Sequence, residues 1–136
     1  MNIGFIAHNS KKNLMEDFCI AYRSILASHE IYATGTTGQR IENVTSLHVH
    51  KFLAGTLGGD KQFMEMVERG DMDVVIVFYN PGMIVSTDPD VRVITSCCDR
   101  YNIPLATNIA TAEALLLALS RGDLDWRKNF KNRKGL

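Results

Sequence analysis

Six residues constrain the fold of this chain more than any others. Val74-Val75-Ile76-Val77-Phe78-Tyr79 is an unbroken β-branched and aromatic run, closed by Asn80-Pro81-Gly82. A strand with one wet face alternates apolar and polar residues; a run without alternation is covered on both faces, which places it inside a parallel sheet. Parallel neighbours cannot be joined by a tight turn and need long crossover connections, usually helical and right-handed. The rest of the sequence supplies such connections.

Asn2 to Ala7 is a short apolar run ending at the polar cluster His8-Asn9-Ser10. From Lys12 to Ser28, Leu14, Phe18, Ala21, Tyr22 and Ile25 recur at helical steps and predict one amphipathic helix. Ile31 to Thr34 reads as a second strand, and Thr36-Thr37-Gly38 opens another helix or turn. Leu47 to Phe52 is the third strand, and the loop Gly55 to Asp60 leads into a helix from Lys61 to Arg69. After the run at Val74, Asp88-Pro89-Asp90 precedes a helix to about Arg100, with Asp88 read as its cap. Ile103 to Thr107 is the last central strand, and Thr111 to Leu119 the final helix. The prediction is an α/β domain of three layers, Rossmann-like, with a central, mainly parallel sheet. At 136 residues the chain accommodates one such domain, residues 1–136, and not two.

Fifteen basic residues balance fifteen acidic ones, so no overall field favours nucleic acid or a membrane surface. The basic tail from Arg127 to Lys134 reads as a solvated terminus, with Trp126 packing it against the body. No apolar run approaches the roughly 20 residues of a membrane span, and Met1 to Ala7 lacks the layout of a signal peptide. Three cysteines make no full set of disulfides, and adjacent Cys97 and Cys98 are not spaced as metal ligands. Cys19 reads as a core thiol, Met64, Met66 and Val67 as core or subunit contact, and His29, His48 and His50 as surface or strand-edge residues. The expected compartment is the cytoplasm.

In a sheet of this kind ligands bind beyond the carboxyl ends of the strands. The loops leaving those ends are therefore an inventory of candidate chemistry. The first strand gives His8, Lys11 and Lys12; the second gives Thr34, Gly35, Thr36, Thr37 and Gly38. The third gives the glycine loop ending in Asp60, the fourth Asn80, Thr87, Asp88 and Asp90, and the fifth Thr107, Asn108 and Thr111. Hydroxyls, glycines and a lysine at helix N-termini are the parts of a phosphate site, because backbone N–H groups and the helix dipole both face the anion. A simpler reading makes them caps and turns, but two such loops after consecutive strands, with a lysine, favour the anion. No Gly-Lys-Ser/Thr of a Walker loop and no G-x-G-x-x-G after the first strand is present.

His8 with Lys12, the run Tyr32-Ala33-Thr34-Gly35-Thr36-Thr37-Gly38, Gly55 to Asp60 followed by Gln62, Asp88-Pro89-Asp90-Val91 and Ile103-Pro104-Leu105-Ala106-Thr107-Asn108 together resemble the methylglyoxal synthase family. The resemblance spans nearly the whole chain in order. It implies a lyase that needs no cofactor and no metal, converting dihydroxyacetone phosphate to methylglyoxal and phosphate, in a bacterial homohexamer with phosphate as an effector. It implies phosphate binding by Lys12, Thr34, Gly35, Thr36 and Thr37, a backbone donor at Gly55, and a place for Thr87 beside the substrate. It assigns the catalytic base to Asp60, with His8 and Asp90 as further catalytic groups. It also implies a C-terminal arginine reaching a neighbour's site, for which Arg127 and Arg133 are the candidates.

The chain departs from the family pattern at four places. Asn9 and Asn80 stand where the family has aspartates, Thr87 where it has a histidine, and Ala54 where it has a serine. The two asparagines keep shape and lose charge; the threonine loses an imidazole. The competing reading is a weak or inactive relative that binds a phosphorylated metabolite as a sensor, as the same fold does in carbamoyl-phosphate synthetase.

Overall fold

The computed structural model describes residues 1–83 and 85–130. Strands β1 (Asn2–Ala7), β2 (Glu30–Ala33), β3 (Val49–Lys51), β4 (Val74–Phe78) and β5 (Leu105–Ala106) form one sheet in the order β3-β2-β1-β4-β5. Every pairing is parallel, with Ile3 beside Val74 and Ile3 beside Ile31 setting the central register. The strands alternate with helices α1 (Lys12–Ala21), α2 (Arg23–Leu26), α3 (Gly35–Thr45), α4 (Gly59–Glu68), α5 (Val91–Arg100) and α6 (Ile109–Ser120), with a short α7 (Arg127–Phe130) after them.

The unbroken apolar run is buried throughout as β4, beside β1 at the centre. Its alternate residues feed two cores. Val74, Ile76 and Phe78 join Ile3, Phe5 and Ala7 beneath α1, α2, α3 and α6, through Phe18, Leu26, Ile41 and Leu116. Val75 and Val77 join Ile6 beneath α4 and α5, through Phe63, Val67, Ile94 and Cys98. Each fully buried Ile or Phe contributes about 1.5–3 kcal/mol by leaving water. The helices after β1 and β4, neighbouring strands, thus leave toward opposite faces, and a crevice opens at the carboxyl ends of those strands.

Several expectations need correction. The single helix from Lys12 to Ser28 is two, because Tyr22 (φ −108°, ψ 22°) leaves helical geometry with no glycine or proline to mark the break. The third strand is shorter than Leu47 to Phe52, and the last is a two-residue edge strand rather than a central one. Asn108, read as loop chemistry, accepts from the Thr111 N–H and caps α6. Trp126 is 43% exposed, with the Arg127 guanidinium 5.9 Å from its ring centroid. Arg127 is no solvated tail residue: buried, it donates to the Asn102 carbonyl at 2.7 Å and faces the buried Asp73 carboxylate at 3.9 Å. Asp73 also accepts from the Asn2 N–H. Arg127 therefore sits at the amino ends of the strands, opposite the crevice, while Arg133 lies outside the described residues. Among the described residues no helix is long and apolar enough to cross a membrane.

One backbone approach fixes where α4 begins. Gly58 turns the chain in the left-handed region (φ 101°), and a Cβ on Gly59 would overlap the Leu53 carbonyl oxygen. Gly59→Ala is therefore expected to destabilise the fold by about 1–3 kcal/mol through overpacking, read as a lower midpoint in urea unfolding.

Candidate active site

The cradle begins at the start of α3. Thr34 holds the extended N-cap position (φ −66°, ψ 158°), yet its hydroxyl makes no capping bond. The Gly35 N–H is tied to the Leu53 carbonyl at 3.2 Å, and the Gly38 N–H closes on the Thr34 carbonyl at 2.8 Å. Thr36 and Thr37 occupy the first turn between them, where a helix leaves its N–H groups without intrahelical partners. A capping role does not account for Thr34, whose side chain is buried and idle as a cap. Exposed Thr36 and buried Thr37 complete the run.

Lys12, in the first turn of α1, reaches across and donates from Nζ to Thr37 Oγ1 at 3.0 Å. Its ammonium is held below the ordinary lysine range, first by burial and then by the Arg40 charge; Asp88 and Asp60 pull the other way. Arg40 is itself engaged, donating to Glu16 at 2.6 Å and to Asn13. A partly desolvated ammonium beside the N-terminus of an eleven-residue helix is a place for an anion of high charge.

Asp60, expected at the end of a loop, lies inside the first turn of α4. Its Oδ1 is buried with no hydrogen-bond partner. Burial raises the carboxyl above its usual range, and Lys12 opposes that shift. The carboxylate lies over Gly55, where a Cβ would come within 3.0 Å of Oδ1. The loop that carries it is stitched down: the Gly59 N–H donates to the Ala54 carbonyl at 3.0 Å, and the Leu53 N–H to Gln62 Oε1 at 2.8 Å.

His8 stands after β1 at the crevice, buried against the edge of the Tyr79 ring. Its Nε2 donates to the Pro89 carbonyl at 2.9 Å. Its Nδ1 lies 3.6 Å from Asp88 Oδ2, buried and without a hydrogen bond. Asp88 Oδ1 accepts from the Asn9 N–H at 3.1 Å. The helix cap is not Asp88, as expected, but Asp90, which accepts from the Arg92 N–H at 2.9 Å. Hydrogen bonds from the Arg92 side chain and backbone keep Asp90 below the usual carboxylate range. Asn80 accepts from the Gly82 N–H, and Thr87 stands exposed in the connection between β4 and α5.

The structure thus gathers Lys12, Thr37, Asp60, Asp88 and His8 around the ends of β1, β2, β3 and β4, while Asp90 turns its carboxyl to its own helix. Sequence reasoning placed Asp88 among the loop residues with capping as its role, and assigned no work to Gln62 or Arg40. Asp88 was masked by a legitimate rule, since an Asp with Pro after it suits an N-cap and first helical position. Gln62 and Arg40 gave no local signal, because their partners are distant in sequence. Of the remaining histidines, His50 pairs with Glu30 at 2.7 Å and stacks on Tyr32. Cys19 is a buried thiol pushed up to about 12. Among the described residues no group of three or more His, Cys, Asp or Glu could hold a metal ion.

An α/β domain that offers a helix N-terminus, a buried lysine and a buried carboxylate at its switch point belongs to a defined class. The MGS-like domain family matches residues 15–107. The methylglyoxal synthase of Caldicellulosiruptor saccharolyticus is 52% identical over 128 residues, 94% of this chain and 91% of that protein. That of Geobacillus sp. WCH70 is 48% identical over 135 residues, 99% of this chain and 96% of its own. A crystal structure of methylglyoxal synthase from Elizabethkingia anophelis superposes with a TM-score of 0.81 at 34% identity, covering 85% of this chain and 76% of that one. This chain belongs to the methylglyoxal synthase family.

The cradle generates two predictions. Lys12→Gln is expected to weaken phosphoglycolate binding by roughly ten- to a hundredfold, the worth of a hydrogen bond to a charged group, measured by calorimetry. Because the Lys12 ammonium is held below the ordinary range, it loses its proton at lower pH than a free lysine. Phosphoglycolate affinity in the parent protein is accordingly expected to fall with rising pH before about 10.4, the ordinary lysine value, and to be flat there in Lys12→Gln.

Proposed function

We propose that this protein is a methylglyoxal synthase, a lyase that takes dihydroxyacetone phosphate to methylglyoxal and phosphate. The observation that carries the reading is the buried, unpartnered Asp60 oxygen beside a lysine and a threonine helix N-terminus. A carboxylate raised by burial is a stronger base than one in water, and Lys12 keeps it ionised.

Asp60 removes a C3 proton, and the electron pair of that bond becomes the C2–C3 double bond of an enediolate. The Lys12 charge and the His8 imidazole serve the developing oxyanion. The C2–C3 pair then shifts to C1–C2 as the C1–O bond to phosphate breaks, and the C3 hydroxyl gives its proton to the departing phosphate and becomes the aldehyde. The remaining C2 enolate takes a proton at C1 to give methylglyoxal. Elimination requires the C–O bond to phosphate to stand out of the enediol plane, a geometry imposed by where the cradle grips the phosphate. Lys12, Thr34, Gly35, Thr36 and Thr37, with a backbone donor at Gly55, form that grip, and Thr87 stands beside the substrate, as the family resemblance implies. Asp90, kept ionised by Arg92, acts through its charge and by starting α5. No step calls for a cofactor. The assembly is a homohexamer, as the family resemblance implies, and the compartment the cytoplasm. Asn9, Asn80 and Thr87 lower the rate without abolishing it, because base and cradle are intact.

The test is methylglyoxal release from dihydroxyacetone phosphate by the purified protein. Asp60→Asn is expected to lower turnover on the order of 10²- to 10⁴-fold while phosphoglycolate affinity stays close to that of the parent. Equal turnover in the two would remove Asp60 as the base. Phosphoglycolate binding with no release by the parent would leave a metabolite sensor. Thr87→His is expected to raise turnover, and no gain would show that another group already polarises the substrate.

A further inference from the structure

We infer that Asp88 is the positioning residue of His8, holding the imidazole in place and carrying the negative charge that balances it when it is protonated. The inference rests on the lyase reading for its kinetic test, but its geometry stands apart from that reading.

His8 Nε2 donates to a carbonyl, which can only accept, so in this arrangement the Nε2 proton is fixed and Nδ1 is the nitrogen free to gain or lose one. Nδ1 is buried without a hydrogen bond, an arrangement that costs free energy unless the atom is used. The carboxylate at ion-pair distance from it is Asp88, at 3.6 Å, and both side chains are only 7% exposed. A proton on Nδ1 would meet that carboxylate in a region where water screens little. Residues 88 and 89 therefore address both ring nitrogens, one through a carboxylate and one through a carbonyl.

Asp88 is in turn held by the Asn9 N–H, so its carboxylate cannot swing toward solvent without breaking a bond to the residue next to His8. It has no duty as a helix cap, since Asp90 performs that role. Asn9, neutral and adjacent, offers backbone and no charge. Asp88 also supports the Lys12 ammonium electrostatically, so one carboxylate acts on both Lys12 and His8. A buried carboxylate that orients an imidazole and stabilises its cation, without taking the proton, is a recurring solution in acid–base catalysis.

The test uses Asp88→Asn, which keeps the acceptor for Asn9 and removes the charge, together with Asp88→Glu, His8→Gln and the His8→Gln/Asp88→Asn pair. Asp88→Asn is expected to lower kcat about tenfold or more with KM unchanged or lower, since loss of a nearby negative charge favours an anionic substrate. In the His8→Gln background the same substitution is expected to cost less than about twofold, because Asp88 acts through His8. Asp88→Glu should restore part of kcat. Full additivity of the two losses, or no loss from Asp88→Asn, overturns the inference. The ¹⁵N resonances of the imidazoles give a readout that needs no turnover: Asp88→Asn should shift His8 Nδ1 and leave His29, His48 and His50 in place. An unmoved His8 signal overturns the inference whatever the activity. A moved signal in a parent without methylglyoxal release sustains it while the lyase reading falls.

Discussion

The half-buried ammonium of Lys12 is the interaction around which the crevice is built. Burial and Arg40 work against its charge, Asp60 and Asp88 work for it, and one of its three N–H groups is satisfied by Thr37. That bond brings the ammonium against the first turn of α3, whose dipole is positive at this end, so a negative group is favoured there by both. An ammonium and a helix N-terminus held together by one hydrogen bond thus make a setting that a third, negative partner stabilises. The same charge sets the strength of the base: Asp60 is raised by burial and restrained by Lys12, so moving Lys12 changes the basicity of Asp60 as well as the phosphate grip.

That coupling requires the groups to move together, and the backbone sees to it. The Gly35 N–H binds the Leu53 carbonyl, the Leu53 N–H binds Gln62, and the Gly59 N–H binds the Ala54 carbonyl. The start of α3, the connection after β3 and the start of α4 are therefore one hydrogen-bonded body, made possible by the glycine at 59. A base and a phosphate grip on one rigid body keep a fixed distance, which is what proximity catalysis requires. His8 and Asp88 belong to a second body, formed by the ends of β1 and β4, and meet the first across the switch point.

Most of this architecture was legible in the sequence because burial and crossover rules act locally. An unbroken apolar strand, helical periodicity and glycine punctuation are properties of short windows, and they placed β1, β4, α3 and the cradle threonines. The break at Tyr22 left no trace, since nothing in its neighbours forbids a helix and tertiary packing decided the matter. Arg127 read as a solvated tail residue because its partners, Asn102 and Asp73, are far away in the chain. Asp88 and Asp90 exchanged duties for a related reason. Local rules allow either to start α5, and only the three-dimensional approach of His8 and Asn9 gives Asp88 other work.

Charge counting shows why that exchange matters for the chemistry. Around Lys12 stand two carboxylates, Asp60 and Asp88, and a bound phosphate dianion adds two further negative charges. The helix dipole returns roughly half an elementary charge. Proton removal would then place an enediolate in a site that is already negative. Lys12 is committed to the phosphate end, which leaves the His8 imidazole as the group that could meet it with a proton. The ring can carry that charge in a buried setting only if a carboxylate faces Nδ1. Had Asp88 capped the helix and Asp90 faced the solvent unpaired, His8 would have lost its counter-charge, and deprotonation would have had to proceed against an uncompensated field.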